Sequence, residues 1–127
     1  MSESLGIWLV RVQGEALVSA LQARLGGEVY RPWLNTLAQK AQFAAAYRLH
    51  TQWIMLAASG IAVRFLEGLV QDKHSDPAVV VLDEAGRFAI SLLAGHEGGG
   101  NLYSGLALSG LTPGRLLARK LASYPTP

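Results

Sequence analysis

The sequence predicts an α/β fold: three layers, with a mostly parallel sheet of about five strands, one β-hairpin and flanking helices. Three observations predict it. A strand, a helix and a second strand follow one another within the first thirty or so residues, which is a βαβ unit. Two further apolar runs each end in a loop of small residues and pass into a helical pattern, at Ala58-Ser59-Gly60 and at Ala94 to Asn101. Two β-rich runs near residues 80 and 90 lie about four turn residues apart, the spacing of a hairpin.

The elements follow in order. Ile7 to Val12 is a near-continuous apolar run with a glycine before and after it, as in a central strand buried on both sides. From Glu15 to Leu25 the residues Ala16, Leu17, Ala20, Leu21 and Leu25 recur at helical spacing, and Gly26-Gly27 supplies the stop. Glu28 to Arg31 is a short strand ended by Pro32. Asn35 to Leu49 reads as a helix with a small-residue face at Leu37, Ala41, Ala44 and Ala45; Trp33 and Phe43 read as packing residues. Trp53 to Ala57 is a third strand, and Ile61 to Leu66 starts an apolar helix. Gly68 to Pro77 is too polar for a core element and reads as a loop. Ala78 to Leu82 is the strongest strand signal, Asp83 to Gly86 a turn, and Arg87 to Leu93 the return strand. A short helix is expected from Leu102 to Gly110. Another is expected after it, with Thr112 as cap, Pro113 in its first turn and Leu116, Leu117 and Leu121 as its apolar positions.

The 127 residues make one domain, taken as 1–123, with Tyr124-Pro125-Thr126-Pro127 as the start of a linker. Half of the residues are hydrophobic and 16% are charged, the balance of a packed domain. The net charge of +2 comes from scattered basic residues with no aromatic-interleaved cluster, so no nucleic-acid partner is expected. No apolar run approaches the roughly 18 residues of a membrane span, and the polar Met1-Ser2-Glu3-Ser4 lacks the basic region of a signal peptide. Together with the absence of cysteine this gives a cytoplasmic expectation and no membrane partner.

Chemistry-bearing residues gather at the loops. Gly95-His96-Glu97-Gly98-Gly99-Gly100-Asn101 is almost bare of side chains, so a ligand can approach its backbone, and the helix start after it favours negative charge. It is neither a P-loop nor a dinucleotide fingerprint. His96 can donate to a carboxylate, bind a metal or act as a general base; equally it can bond its own loop. Ser59 and Gly60 open the other strand-to-helix loop, whose N–H groups suit a carboxylate or an oxyanion. In a parallel sheet both loops would share the carboxyl edge, where open α/β folds bind ligands. Arg64 suits bidentate carboxylate recognition, or a salt bridge to Asp72 or Asp76. Asp72, Lys73, His74, Ser75 and Asp76 form the densest polar cluster, and Asp76 can orient His96 or activate water. Asp83, Glu84 and Gly86 are assigned to the hairpin turn. No His/Asp/Glu set has metal-ligand spacing.

Three segments carry a family resemblance. They are Ala57-Ala58-Ser59-Gly60-Ile61-Ala62-Val63-Arg64, then Asp72-Lys73-His74-Ser75-Asp76-Pro77 running through Ala78-Val79-Val80-Val81-Leu82-Asp83-Glu84-Ala85-Gly86-Arg87, then Ile90-Ser91-Leu92-Leu93-Ala94-Gly95-His96 with Gly98-Gly99-Gly100-Asn101. Together the stretch resembles the N-terminal domain of cobalamin-biosynthesis protein G, the cobalt-precorrin-5A hydrolase family; the first fifty residues fit it only as a generic strand–helix–strand start. The resemblance implies an α/β domain of an enzyme that opens a δ-lactone on a cobalt-bound, contracted tetrapyrrole and releases acetaldehyde. On that reading His96 and Asp76 are the catalytic candidates. Ser59, Gly60, Arg64, Lys73, Gly95, Gly98, Gly99, Gly100 and Asn101 are the substrate-binding candidates. No cofactor is implied, since the cobalt comes with the corrinoid substrate. The partners implied are further domains of the same polypeptide, or a precorrin methyltransferase to which a non-catalytic, corrinoid-binding version of the domain is fused. The chain departs from the family after Asn101, where a Thr-Thr-Ala-Thr-Asp-like run is replaced by Thr112-Pro113-Gly114-Arg115.

Overall fold

The computed structural model describes residues 4–72, 75–83 and 89–93. The expected helices after Asn101, the linker at Tyr124 to Pro127, the Glu84 to Gly86 turn and the glycine loop from Gly95 lie outside the described residues. Five strands, β1 (Leu5–Leu9), β2 (Glu28–Tyr30), β3 (Gln52–Leu56), β4 (Ala78–Leu82) and β5 (Ala89–Leu93), form one sheet in the order β2-β1-β3-β4-β5. All neighbours run parallel except β4 and β5, which are antiparallel, as the hairpin spacing predicts. The helices are α1 (Glu15–Leu25), α2 (Gln39–Ala46) and α3 (Ser59–Leu66). Among the described residues no helix is long and apolar enough to cross a membrane.

The pleat sends alternate side chains to opposite faces, and this builds two cores. Leu5, Ile7 and Leu9 of β1 join Ile54, Leu56, Val80 and Leu82 against Val18 and Leu21 of α1. On the other face Trp8, Trp53, Met55, Val79 and Val81 meet Phe43 and Ala46 of α2 and Ala62, Phe65 and Leu66 of α3. The split follows from handedness. The β1-to-β2 crossover moves one way across the sheet and the next two crossovers move the other way, so right-handed connections place α1 opposite α2 and α3. The reversal leaves a switch point between the carboxyl ends of β1 and β3.

Several boundaries differ from the sequence reading. Gly6 does not precede the first strand but lies within it. A Cβ there would come 2.5 Å from Cζ3 of Trp53 and 2.8 Å from Cδ2 of His50, so the glycine makes room for an aromatic ring. The strand ends at Leu9; Val12, read as its last residue, starts a 3₁₀ turn and is exposed. At the end of α1, Gly26 has φ +71°, and its N–H closes the helix on the Gln22 carbonyl at 2.8 Å, as the Gly-Gly stop predicts. The second helix starts at Gln39 rather than Asn35, because the Asn35 side chain accepts from the Leu37 N–H at 3.0 Å and holds a turn. The small-residue face is a misreading: Leu37, Ala41, Ala44 and Ala45 are exposed, while Phe43, Ala46 and Tyr47 pack. Trp33 packs beside α1, as expected.

Candidate functional site

The described candidates fall at opposite edges of the sheet. At the carboxyl edge, Ala57 and Ala58 leave β3 and α3 begins at Ser59, two residues earlier than expected. Ala58 at the cap has no side-chain oxygen, so no side chain caps the first turn. The Ile61 N–H donates to the Ala58 carbonyl at 3.0 Å, and the N–H groups of Ser59 and Gly60 point out of the sheet edge. Beside them Ala57, Ala58, Ser59, Val81, Asp83 and Ile90 line a cleft of about 290 Å³. Gly60 is exposed, and a Cβ added there would meet nothing within 4 Å. Arg64 is exposed, in the last turn of α3, at the end of the helix opposite the cleft.

Asp76 sits before β4, at the amino edge, about 16 Å from the cleft by the rise of a five-residue strand. Its carboxylate is almost fully buried and occupied. Oδ2 accepts from the Gln71 and Asp72 N–H groups, both at 2.8 Å. Oδ1 accepts from Nη2 of Arg48 at 3.0 Å and from the Tyr47 hydroxyl at 3.3 Å. Burial pushes the carboxyl upward, but the two backbone N–H groups, Arg48 and Tyr47 outweigh it and hold it below the ordinary aspartate value. The same burial, with the negative charge of Asp76, raises the Tyr47 phenol. Arg48 also donates to the Leu69 carbonyl at 2.9 Å. The group is a knot that ties the loop before β4 to the end of α2. The salt bridge to Asp76 considered for Arg64 is made by Arg48 instead.

The expectation that the glycine loop shares an edge with Ser59 falls on residues outside the described ones. Because β5 is antiparallel, it runs from the carboxyl edge, where Ala89 pairs with Leu82, to the amino edge, where Leu93 pairs with Val79. The described part of β5 thus ends at the amino edge, on the Asp76 side. Lys73, Gly95, His96, Gly98, Gly99, Gly100 and Asn101 lie outside the described residues; among the described candidates the structure brings together Ser59 and Gly60. It adds Asp83, which the sequence reading assigned to the turn; its place just past the strongest strand was the available signal. Tyr47 and Arg48 carried no local signal at all.

A second polar array also lies at the amino edge. His50 has Ser4 Oγ 3.0 Å from Nδ1 and the Tyr30 hydroxyl 2.7 Å from Nε2, with a Glu28 oxygen 3.5 Å from Nε2. Burial and the Glu28 carboxylate raise the Tyr30 phenol. These contacts tie the residues before β1 and β3 to β2. Among the described residues no group of three or more His, Cys, Asp or Glu side chains could hold a metal ion.

With this geometry in hand, the chain can be set beside known proteins. A cobalt-precorrin-5A hydrolase from Salmonella typhimurium is 41% identical over 109 residues, covering 78% of this chain and 30% of the relative. A cobalt-precorrin-5A hydrolase from Priestia megaterium is 46% identical over 48 residues, covering 38% of this chain and 13% of the relative. The chain thus spans under a third of the length of the relatives it matches. A crystal structure of a cobalamin biosynthesis protein G homolog from Sulfolobus solfataricus superposes with a TM-score of 0.58 at 19% identity, over 83% of this chain and 33% of that one, which establishes a shared fold. The model of the cobalamin synthesis G N-terminal family matches residues 41–112, a range that contains all three segments of the resemblance. The chain belongs to the cobalamin synthesis G N-terminal family.

Proposed function

We propose that this chain is a domain of cobalamin biosynthesis that binds a cobalt-corrinoid intermediate at the carboxyl edge of its sheet and contributes to opening of the δ-lactone with release of acetaldehyde. One observation carries the reading: a family member presents an apolar cleft beside a helix start that no side chain caps. Aliphatic lining suits the rim of a macrocycle, and the N–H groups at Ser59 and Gly60 suit one of its carboxylate arms. Binding comes before chemistry in this reading. The buried Asp76 already accepts four hydrogen bonds, which leaves it poorly placed to activate water. That observation favours, as a second reading, the non-catalytic corrinoid-binding domain that works with further domains or with a precorrin methyltransferase. In either case the cobalt belongs to the substrate.

Titration with aquacyanocobyrinic acid, a cobalt corrin with free carboxylate arms, tests the shared part through its visible spectrum. Saturable binding weakened by Ser59→Pro is expected, and no binding by the wild type sinks both readings. Acetaldehyde formation from the lactone substrate by the complete protein then separates them: turnover abolished by His96→Ala supports a catalytic domain, and turnover untouched by it supports the accessory one.

A further inference from the structure

The segment between β2 and α2 crosses the carboxyl edge as an arch over β2 and β1. It is well tied down. The Gln42 side chain donates to the Pro32 and Leu37 carbonyls at 3.1 and 2.7 Å, Asn35 holds the Leu37 N–H, and Gln39 donates to the Val10 carbonyl at 3.0 Å. Pro32 beneath it is buried. Yet this ordered arch holds Leu34 and Leu37 in water, 77% and 63% exposed, and Val12 on the neighbouring β1 turn is 58% exposed. Scattered exposed aliphatics need no explanation. Three of them on turns at one sheet edge, two on a pinned segment, form a preorganised apolar surface.

We infer that Leu34, Leu37 and Val12 form a shelf for the apolar ring of the corrinoid, a proposal that rests on the function proposed above. At about 290 Å³ the cleft is at the lower limit for a drug-sized ligand, and a tetrapyrrole is larger. A ring with one rim in the cleft at β3, β4 and β5 extends past it, toward the switch point between β1 and β3 where open α/β folds bind ligands. The β1 turn is the next in that direction and the arch lies beyond it, about 10 Å from β3 at the usual strand spacing. The occupant is therefore the same macrocycle, with its carboxylate arm at α3 and its ring over the arch.

The test compares wild type, the double variant Leu34→Asn/Leu37→Asn, and Val63→Asn, an exposed position on α3 outside the shelf. Affinity for aquacyanocobyrinic acid is followed by visible absorbance at low and high salt. Oligomeric state is followed by light scattering, and folding by circular dichroism. The double variant is expected to fold normally and to bind about tenfold or more weakly, by the same factor at both salt concentrations, because the lost contact is apolar. Val63→Asn is expected to bind like wild type. If wild type binds and the double variant binds equally well, the shelf is overturned while the functional reading stands. A change of oligomeric state in the double variant with unchanged corrinoid affinity also overturns it, and assigns the arch to contact between copies. If wild type itself does not bind, both the shelf and the reading beneath it fall.

Discussion

Replacing Asp76 distinguishes a structural carboxylate from a catalytic one. In Asp76→Ala, the Gln71 and Asp72 N–H groups lose their acceptor, and the Tyr47 hydroxyl and Arg48 lose theirs. Arg48 is 41% exposed and can turn to water, so its share is discounted. Two charge-assisted bonds from backbone N–H groups at about 1.5 kcal/mol each put the loss near 3 kcal/mol. A domain of ordinary stability holds only about 5–15 kcal/mol in total. The melting temperature at neutral pH, read by circular dichroism, should then fall by about 10 °C. A pH series supplies a second, independent reading. The folded-state pKa of Asp76 lies below its unfolded value, so the stabilisation is fully present above the ordinary aspartate range and is lost as pH falls through the folded value. The stability gap between wild type and the near-isosteric Asp76→Asn should therefore be constant at neutral pH and should narrow as the solution is acidified below about pH 4. A loss under about 1 kcal/mol for Asp76→Ala, or a gap that does not narrow in acid, would refute the account of Asp76 as the knot of this loop.

Other substitutions probe the packing. Gly6→Ala drives a methyl group into the Trp53 ring and should cost about 2–3 kcal/mol, seen in urea unfolding with a change in tryptophan fluorescence. Phe43→Ala removes a fully buried ring that contacts Trp8, Trp53 and Phe65 and should cost about 3–5 kcal/mol by the same measurement. Ala41→Leu lies on the exposed face of α2 and should change stability by under about 0.5 kcal/mol. Gly60→Ala meets open space and should leave folding intact, so any loss of corrinoid affinity in it reports on the cleft and not on the fold.

Periodicity and punctuation sufficed for most of the architecture. The 3.6-residue pattern from Glu15 with Gly26 behind it located α1 to the residue, and the valine run located β4. The βαβ order and the four-residue turn set the parallel sheet and its one antiparallel pair. These are local properties: a helix or a strand is encoded by residues a few positions apart. The three motif segments likewise identified the family, because short runs of sequence carry that information directly.

What needed the tertiary structure was everything set by residues distant in sequence. Gly6 is required by the Trp53 ring, forty-odd positions away, and looks like a strand boundary until β1 and β3 pair. Phe43 of α2 and Tyr47 just after it face the core where Ala41, Ala44 and Ala45 seemed to, because Trp8 and Trp53 supply the surface they meet. Asp76 reads as a candidate base until Tyr47 and Arg48, on the turn after α2, reach it. Strand pairing gives β5 its direction, toward the amino edge, while α3 starts with Ser59 at the carboxyl edge. Sequence pattern specifies which face of an element is apolar; which partner covers that face, and at which end of the sheet a loop emerges, is decided only when the strands pair.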